Sequence, residues 1–137
     1  MLNLCNETIT VFNARYDVES GKDIYVPTVI VGVSWFCEIA STVDEGLRAA
    51  DKFTIRIPLD AKFGGKEYVE PVAWPEADPA SAFTLLNGDI IVKGDASGVE
   101  NPRPAVLQKL YPEMVTVLGV TDNRRAPNAK HWKVIGK

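Results

Sequence analysis

The residues of this chain that could do chemistry are few and scattered. Its single histidine, His131, follows the loop DNRRAPNAK (residues 122–130) and stands beside Trp132. An imidazole can activate a serine or cysteine nucleophile when an acid orients it, and Cys37 is one thiol on offer. No nucleophile sits in a recognisable elbow, however, so His131 is expected to pack at the start of a strand and donate one hydrogen bond. FGGKEY (residues 63–68) has the glycines and lysine of a phosphate loop. It lacks the leading glycine, and Glu67 stands where Ser or Thr is required. The glycines are therefore expected to make a turn, with Lys66 solvated. Cys5 and Cys37 with one histidine make a poor zinc set, and both are expected to be free, mostly buried thiols. Asp44, Glu45, Asp89 and Asp95 fall in loops and turns, where an aspartate usually bonds its own backbone. The chain is expected to be no enzyme, with no catalytic residue, metal or cofactor.

The loop before His131 carries the other candidates. Nine residues are more than a hairpin needs, and long loops are often there to touch something. Arg124, Arg125, Asn128 and Lys130 are the expected protein-interface residues, because guanidinium forks suit carboxylate-lined partners. Charge segregation supports this. Residues 1–102 hold 8 basic and 16 acidic side chains, and residues 103–137 hold 7 and 2. Basic loop on acidic flank is an expected contact between copies, which closes into a ring if the rotation permits. In the alternative, Arg124, Arg125, Lys130 and Lys133 contact phosphates while Trp132 stacks a base, as in a small barrel that binds single-stranded nucleic acid. A pI near 5.2 counts against it.

The elements that must position these residues read as β throughout. At 137 residues, 46% hydrophobic and 24% charged, the chain is expected to be one β-rich domain, 1–137, with a substantial core. It has no apolar run of the roughly 20 residues that span a bilayer. MLNLC is too short and uncharged for a signal peptide, so an intracellular setting is expected. TITVFNARY (8–16) is dense in β-branched and aromatic residues, and VESGK is its turn. DIYVPTVIVGVSWFCEIA (23–40) contains Pro27, which marks an edge or bulge, and Gly32, which marks a bend. Residues 41–52 are expected to be a loop, FTIRIPL (53–59) a half-buried strand, and 75–81 a proline-rich loop. In FTLLNGDIIVK (83–93) the Asn87-Gly88 pair is either a hairpin turn or a kink leading into one strand. Pro104 opens a short helix, about 104–111, with Val106, Leu107 and Leu110 as its stripe. Residues 114–120 and 131–135 complete the sheet. The expected core comprises Trp35, Phe36, Phe53, Ile55, Ile57, Leu85, Ile90, Val92, Leu110, Val117, Trp132 and Val134. Six to eight strands, one helix and no βαβ rhythm predict a mainly β fold, a small antiparallel barrel or sandwich with long loops.

VSWFCEIA, FTIRIPLDAKFGGKEYV, FTLLNGDIIVKG and VLGVTDNRRAPNAKHWKVIGK together resemble a family of small uncharacterised proteins. That family is encoded in the virion structural gene modules of tailed phages and prophages of Gram-positive bacteria. The resemblance covers nearly the whole chain. By general form such proteins are similar to head-completion or minor capsid proteins, small β-barrels that assemble as rings beneath the portal. The resemblance implies a non-enzymatic head–tail connector subunit of the stopper or adaptor type. Its implied partners are further copies of itself and neighbouring portal, adaptor or tail proteins, with DNA passing through unbound and no membrane. It implies a place at the head–tail junction of the virion, and in the host cytoplasm during assembly. A tail-end or capsid-associated minor protein is the alternative of the same class.

Overall fold

The computed structural model describes residues 6–40, 50–99, 102–125, 127 and 130–137. Two long strands start it. β1 (Glu7–Asp17) turns through Gly21, at φ 68°, into β2 (Lys22–Ala40). β2 is long because it serves two neighbours. It pairs with β1 as far as Val33, and from Ser34 onward with β3 (Ala50–Pro58). The corner falls at Gly32, whose φ of 97° suits a residue without Cβ. The expected bend is therefore where the sheet begins to curl.

A short parallel pair follows, β4 (Glu67–Tyr68) with β5 (Ala82–Phe83), and between them a 3₁₀ turn at Trp74–Glu76. Then come β6 (Ile90–Lys93), α1 (Pro104–Leu110), β7 (Met114–Asn123) and β8 (His131–Gly136). The main sheet runs β1-β2-β3-β8-β7-β6, all antiparallel, and β6 pairs back onto β1 to close a six-stranded barrel. The fold is mainly β, as the strand pattern predicts, and of barrel and sandwich it is the barrel. Asn87-Gly88 is the kink and not a hairpin turn. Gly88, at φ 93°, donates its N–H to Val117 O, and the chain continues into β6 alone.

Inward positions alternate with outward ones along the strands, with the phase shifted where β2 bends at Gly32 and where β7 is irregular between Val117 and Gly119. Ile9 and Val11, Ile30 and Val33, Ile55 and Ile57, Ile91, Val115 and Val117, Trp132 and Val134 meet inside, joined by Phe83 and Leu85. Trp35 and Phe53 pack against this core, half-buried, with ring centroids 5.4 Å apart. Ile90 and Val92 are buried on the opposite face. With Phe12 and Ala96 they make an outer apolar patch that Leu107 of α1 covers.

Two expected core residues are exposed. Phe36 follows inward Trp35, so period 2 sends it outward, where it is 53% exposed. Leu110 is 58% exposed because Leu107 fills the patch and Tyr111 packs beside it, turning the residue between them away.

Both mouths of the barrel are filled. At one, the Lys93 ammonium lies 5.9 Å from the Trp35 ring centroid and pairs with Glu7 and Glu113. At the other, the chain between β3 and β6 crosses the opening and drops in Phe63, Tyr68 and Phe83. That crossing segment is tied to β1 by a buried polar node. Asn13 Nδ2 donates to Thr84 O (2.6 Å) and to Asp89 Oδ2 (2.8 Å), and Asn13 Oδ1 accepts from Thr84 N–H (3.2 Å). Asp89 also accepts from Ala14 N–H at 3.1 Å. So Asp89 is a buried crosslink to a strand distant in sequence, against the expected self-bonded turn. Asp95 is of the expected kind, accepting from Ser97 N–H. Burial pushes the Asp89 carboxyl above the ordinary range, while the Asn13 amide and backbone N–H groups oppose that rise.

The expected solvated Lys66 is also otherwise employed. Its ammonium donates to Pro27 O (2.8 Å) and Thr28 Oγ1 (3.0 Å). Pro27 lies where β2 has β1 on one side and no full strand on the other, so its missing N–H faces that edge. The Gly64-Gly65 turn, at φ 64° and 84°, delivers the lysine there as a cap. Desolvation lowers the Lys66 pKa. Cys5 and residues 41–49, with Asp44 and Glu45, lie outside the described residues, as does the side chain of Cys37.

Replacing Asn13 with Ala strips donors from a buried carboxylate and is expected to lower the unfolding free energy by about 2–3 kcal/mol in urea denaturation. Gly136→Ala tests closure itself. A Cβ there would stand 2.8 Å from Val115 Cγ2 and 3.0 Å from Thr116 O. A cost of about 1–3 kcal/mol is expected, partly recovered in the double variant with Val115→Ala. An unchanged midpoint for Gly136→Ala would contradict the packing described.

Candidate functional site

β7 and β8 form the closing hairpin, and its register places Asn123 opposite His131 and Asp122 opposite Trp132. Asn123 Nδ2 donates to His131 Nε2 at 3.3 Å. His131 thus stands at the expected strand start with a cross-strand partner, and towards Asn123 its ring nitrogen is the acceptor in place of the expected donor. Among the described residues no three of His, Cys, Asp and Glu gather at metal-binding spacing.

Trp132 is 3% exposed, as an expected core residue should be. Its ring lies 4.8 Å from Tyr68 and 6.1 Å, edge-on, from Phe63. A base has no face to stack on there, so the nucleic-acid alternative loses the aromatic assigned to it.

The four expected interface residues separate. Arg124 folds back over the barrel mouth, with its guanidinium carbon 5.0 Å from the Tyr68 ring centroid and 5.2 Å from that of Trp132. Its Nε donates to both carboxylate oxygens of Asp122 (2.9 and 3.0 Å), and its Nη2 reaches Asp122 and Glu70 Oε1, the latter at 2.9 Å. Arg124 N–H also bonds Asp122 Oδ1. The hydrogen bonds that Arg124 donates hold the Asp122 carboxyl down at about 2, and the same bonds push the guanidinium further above its ordinary value, so it stays charged at any ordinary pH. Burial, then the nearby Glu70 carboxylate, raise the Tyr68 phenol. Arg124 is therefore a strut that fastens the hairpin to the aromatic plug. Arg125 and Lys130 are exposed, while Asn128 lies outside the described residues. Glu70, Asp122, Arg124 and Arg125 line an open groove of about 580 Å³. Its walls are charged, unlike the mainly apolar lining of small-molecule pockets.

A second surface was not anticipated. On the outer face of the sheet, Arg56 of β3 stands directly opposite Lys133 of β8. Like charges in that position repel, and neither makes an ion pair among the described residues. Exposed Phe36 lies next to them, since Ser34 pairs with Arg56 and Phe36 with Thr54. Alternation in FTIRIPL and HWKVIG signals the outward Arg and Lys, but nothing in sequence says that the two strands are neighbours.

The class these features define is a small closed antiparallel barrel, plugged at both mouths, with cationic side chains on one outer sheet face and on its final hairpin. By sequence, the chain belongs to a family of unknown function, DUF6751, whose profile matches residues 4–137. It is also similar, at 26% identity over 126 residues, to the bifunctional protein HldE of Pseudomonas entomophila (strain L48). That match takes in 86% of this chain and 26% of HldE, so the chain spans about a quarter of that relative's length. No solved structure matches.

Arg124→Ala is expected to lower stability by about 1–2 kcal/mol, since it removes two cation–π contacts and two partly exposed, solvent-screened ion pairs. Arg125→Ala should stay within about 0.5 kcal/mol of the parent. Because the Asp122 pKa is depressed when folded, its contribution is complete above the ordinary carboxylate range and is lost as pH falls toward about 2. Chemical denaturation of both variants checks this, and equal effects would remove the distinction between strut and free cation.

Proposed function

We propose that this chain is a non-enzymatic structural subunit of a tailed-phage virion, a head–tail connector of the stopper or adaptor type. It acts as one copy in a ring around the DNA channel, contacting its own copies and the neighbouring portal, adaptor or tail proteins. The observation that carries this reading is the Arg56–Lys133 pair, without an ion-pair partner among the described residues, beside exposed Phe36 on the outer sheet face. A barrel has reason to hold like charges against each other when an acidic partner covers them in the assembled state. Arg125 and Lys130 extend that cationic surface toward whatever lies above or below the ring. The acidic remainder of the chain suits a lumen that lets DNA slide, because a lumen rich in cations would grip phosphates.

Particles purified after induction of a prophage that encodes this chain supply the test. Antibody labelling should mark the head–tail junction, and deletion of the coding sequence should leave filled heads without attached tails. Normal tailed particles free of the chain would dispose of the proposal. Label at the distal tail or over the capsid would move it to the other minor structural roles.

A further inference from the structure

The first hairpin ends in a surface that a lone barrel does not need. β6 pairs with β1 only from Ile9 to Phe12, so the two-stranded ribbon beyond those residues projects past the ring. One side of this ribbon is fastened down. Trp74 Nε1 donates to Ala14 O, and the Arg15 guanidinium, 5.2 Å from the Trp74 ring centroid, donates to Ala77 O and Pro75 O. Its tip is left bare. Tyr16 is 62% and Val18 83% exposed, and Ile24 is exposed beside them. Asp17, Glu19 and Asp23 surround these apolar groups; Lys22 lies among them, and Arg103 lines the groove on the Asp17 and Asp23 side, which leaves Glu19 on the open side of the tip. Carefully braced backbone that presents bare apolar side chains in an acidic rim has the make-up of an interface segment.

We propose that this acidic, apolar tip docks on the outer β3–β8 face of a second copy, setting Glu19 and Asp23 against Arg56 and Lys133 and packing Val18 and Tyr16 on Phe36. The two surfaces complement each other in charge, and each brings exposed apolar area. They cannot meet within one molecule by simple folding-over, because β8 stands three places from β1 in a ring of six, on the opposite side of the barrel. Donor and acceptor surfaces on opposite sides make the contact heterologous, so it propagates head to tail and closes into a ring when the rotation allows. Single-stranded nucleic acid is the competing occupant of the face. It is disfavoured because Phe36 would be the lone stacking platform there, whereas the tip offers both the negative charge and the apolar groups. The proposal rests on the self-assembly part of the reading above and not on its virion setting.

Charge reversal on the full-length chain tests it. A tip variant, Glu19→Lys with Asp23→Lys, and a face variant, Arg56→Glu with Lys133→Glu, are compared with the parent by sedimentation velocity, with circular dichroism confirming the fold. The parent is expected to self-associate, less so at high salt. Each variant alone should associate at least about tenfold more weakly. An equimolar mixture should regain association, because the reversed tip of one then fits the reversed face of the other. The proposal is overturned by a parent that stays monomeric at high concentration, by variants that associate as the parent does, or by a mixture without rescue. A labelled oligothymidylate is titrated in parallel. Binding with a steep salt slope, lost in the face variant and kept in the tip variant, reassigns the face to nucleic acid. The two proposals fail separately. Rescue in solution with the chain missing from particles ends the connector reading alone, and a junction label with no rescue ends the docking mode alone.

Discussion

Everything in this molecule depends on closing a sheet whose last partners are far apart in the chain. β1 must wait for β6, and the link between them has to cross a barrel mouth before it can pair. The Asn13–Asp89 node fixes where that crossing ends. One amide side chain engages both Thr84 backbone groups and a carboxylate, so β6 enters the sheet at a single register. Register matters more than usual in β6, because Ile90 to Val92 is buried on both faces and hydrophobic alternation alone would allow a slip of one residue. The cost is a desolvated carboxylate with no ion pair among the described residues, which backbone and amide N–H groups offset.

The second dependence is at the other end of the chain. β8 completes the ring between β3 and β7, and Arg124 holds its hairpin down on the aromatic plug. The plug, made largely by the crossing segment, thereby becomes common ground for two parts of the chain 54 residues apart. Charge that seems in sequence to be available for a partner is in fact spent on the fold. The charge that is available lies on Arg125 and Lys130 of the loop between β7 and β8 and on an outer sheet face, where Arg56 of β3 meets Lys133 of β8.

Much of the architecture was legible from residue order, because β-branched runs, Pro27, Gly32 and Pro104 act through local sterics. The strands, the bend and the short helix all depend on such local rules, whereas Asn87-Gly88 fits a hairpin turn or a kink equally well until Val117 is in place to accept from Gly88. What stayed hidden was set by distance. Arg124 and Arg125 are indistinguishable as letters, and only the folded position of Glu70, Tyr68 and Trp132 separates them. Asp89 looks like any turn aspartate until Asn13, 76 residues away, is beside it. Phe36 was misplaced for a different reason. In VSWFCEIA, Val33, Trp35, Cys37 and Ile39 alternate with Ser34, Phe36, Glu38 and Ala40, so period 2 puts Phe36 on the wet side with Ser34 and Glu38, and only its apolar bulk argues for the core. Leu110 failed because a helix of seven residues covers only a small patch, and one leucine fills it.

The filled mouths have a mechanical consequence. With a cation over tryptophan at one end and an aromatic plug strutted by a guanidinium at the other, the barrel is a solid body and not a conduit. Any aperture in an assembly of such bodies lies between molecules, so its bore is governed by how many copies sit around it and how they tilt. Strands hydrogen-bonded all the way round leave little to shear under axial load. A sequence change inside the barrel would therefore alter how stiff each block is, while the width of the opening would answer only to the surfaces where blocks touch.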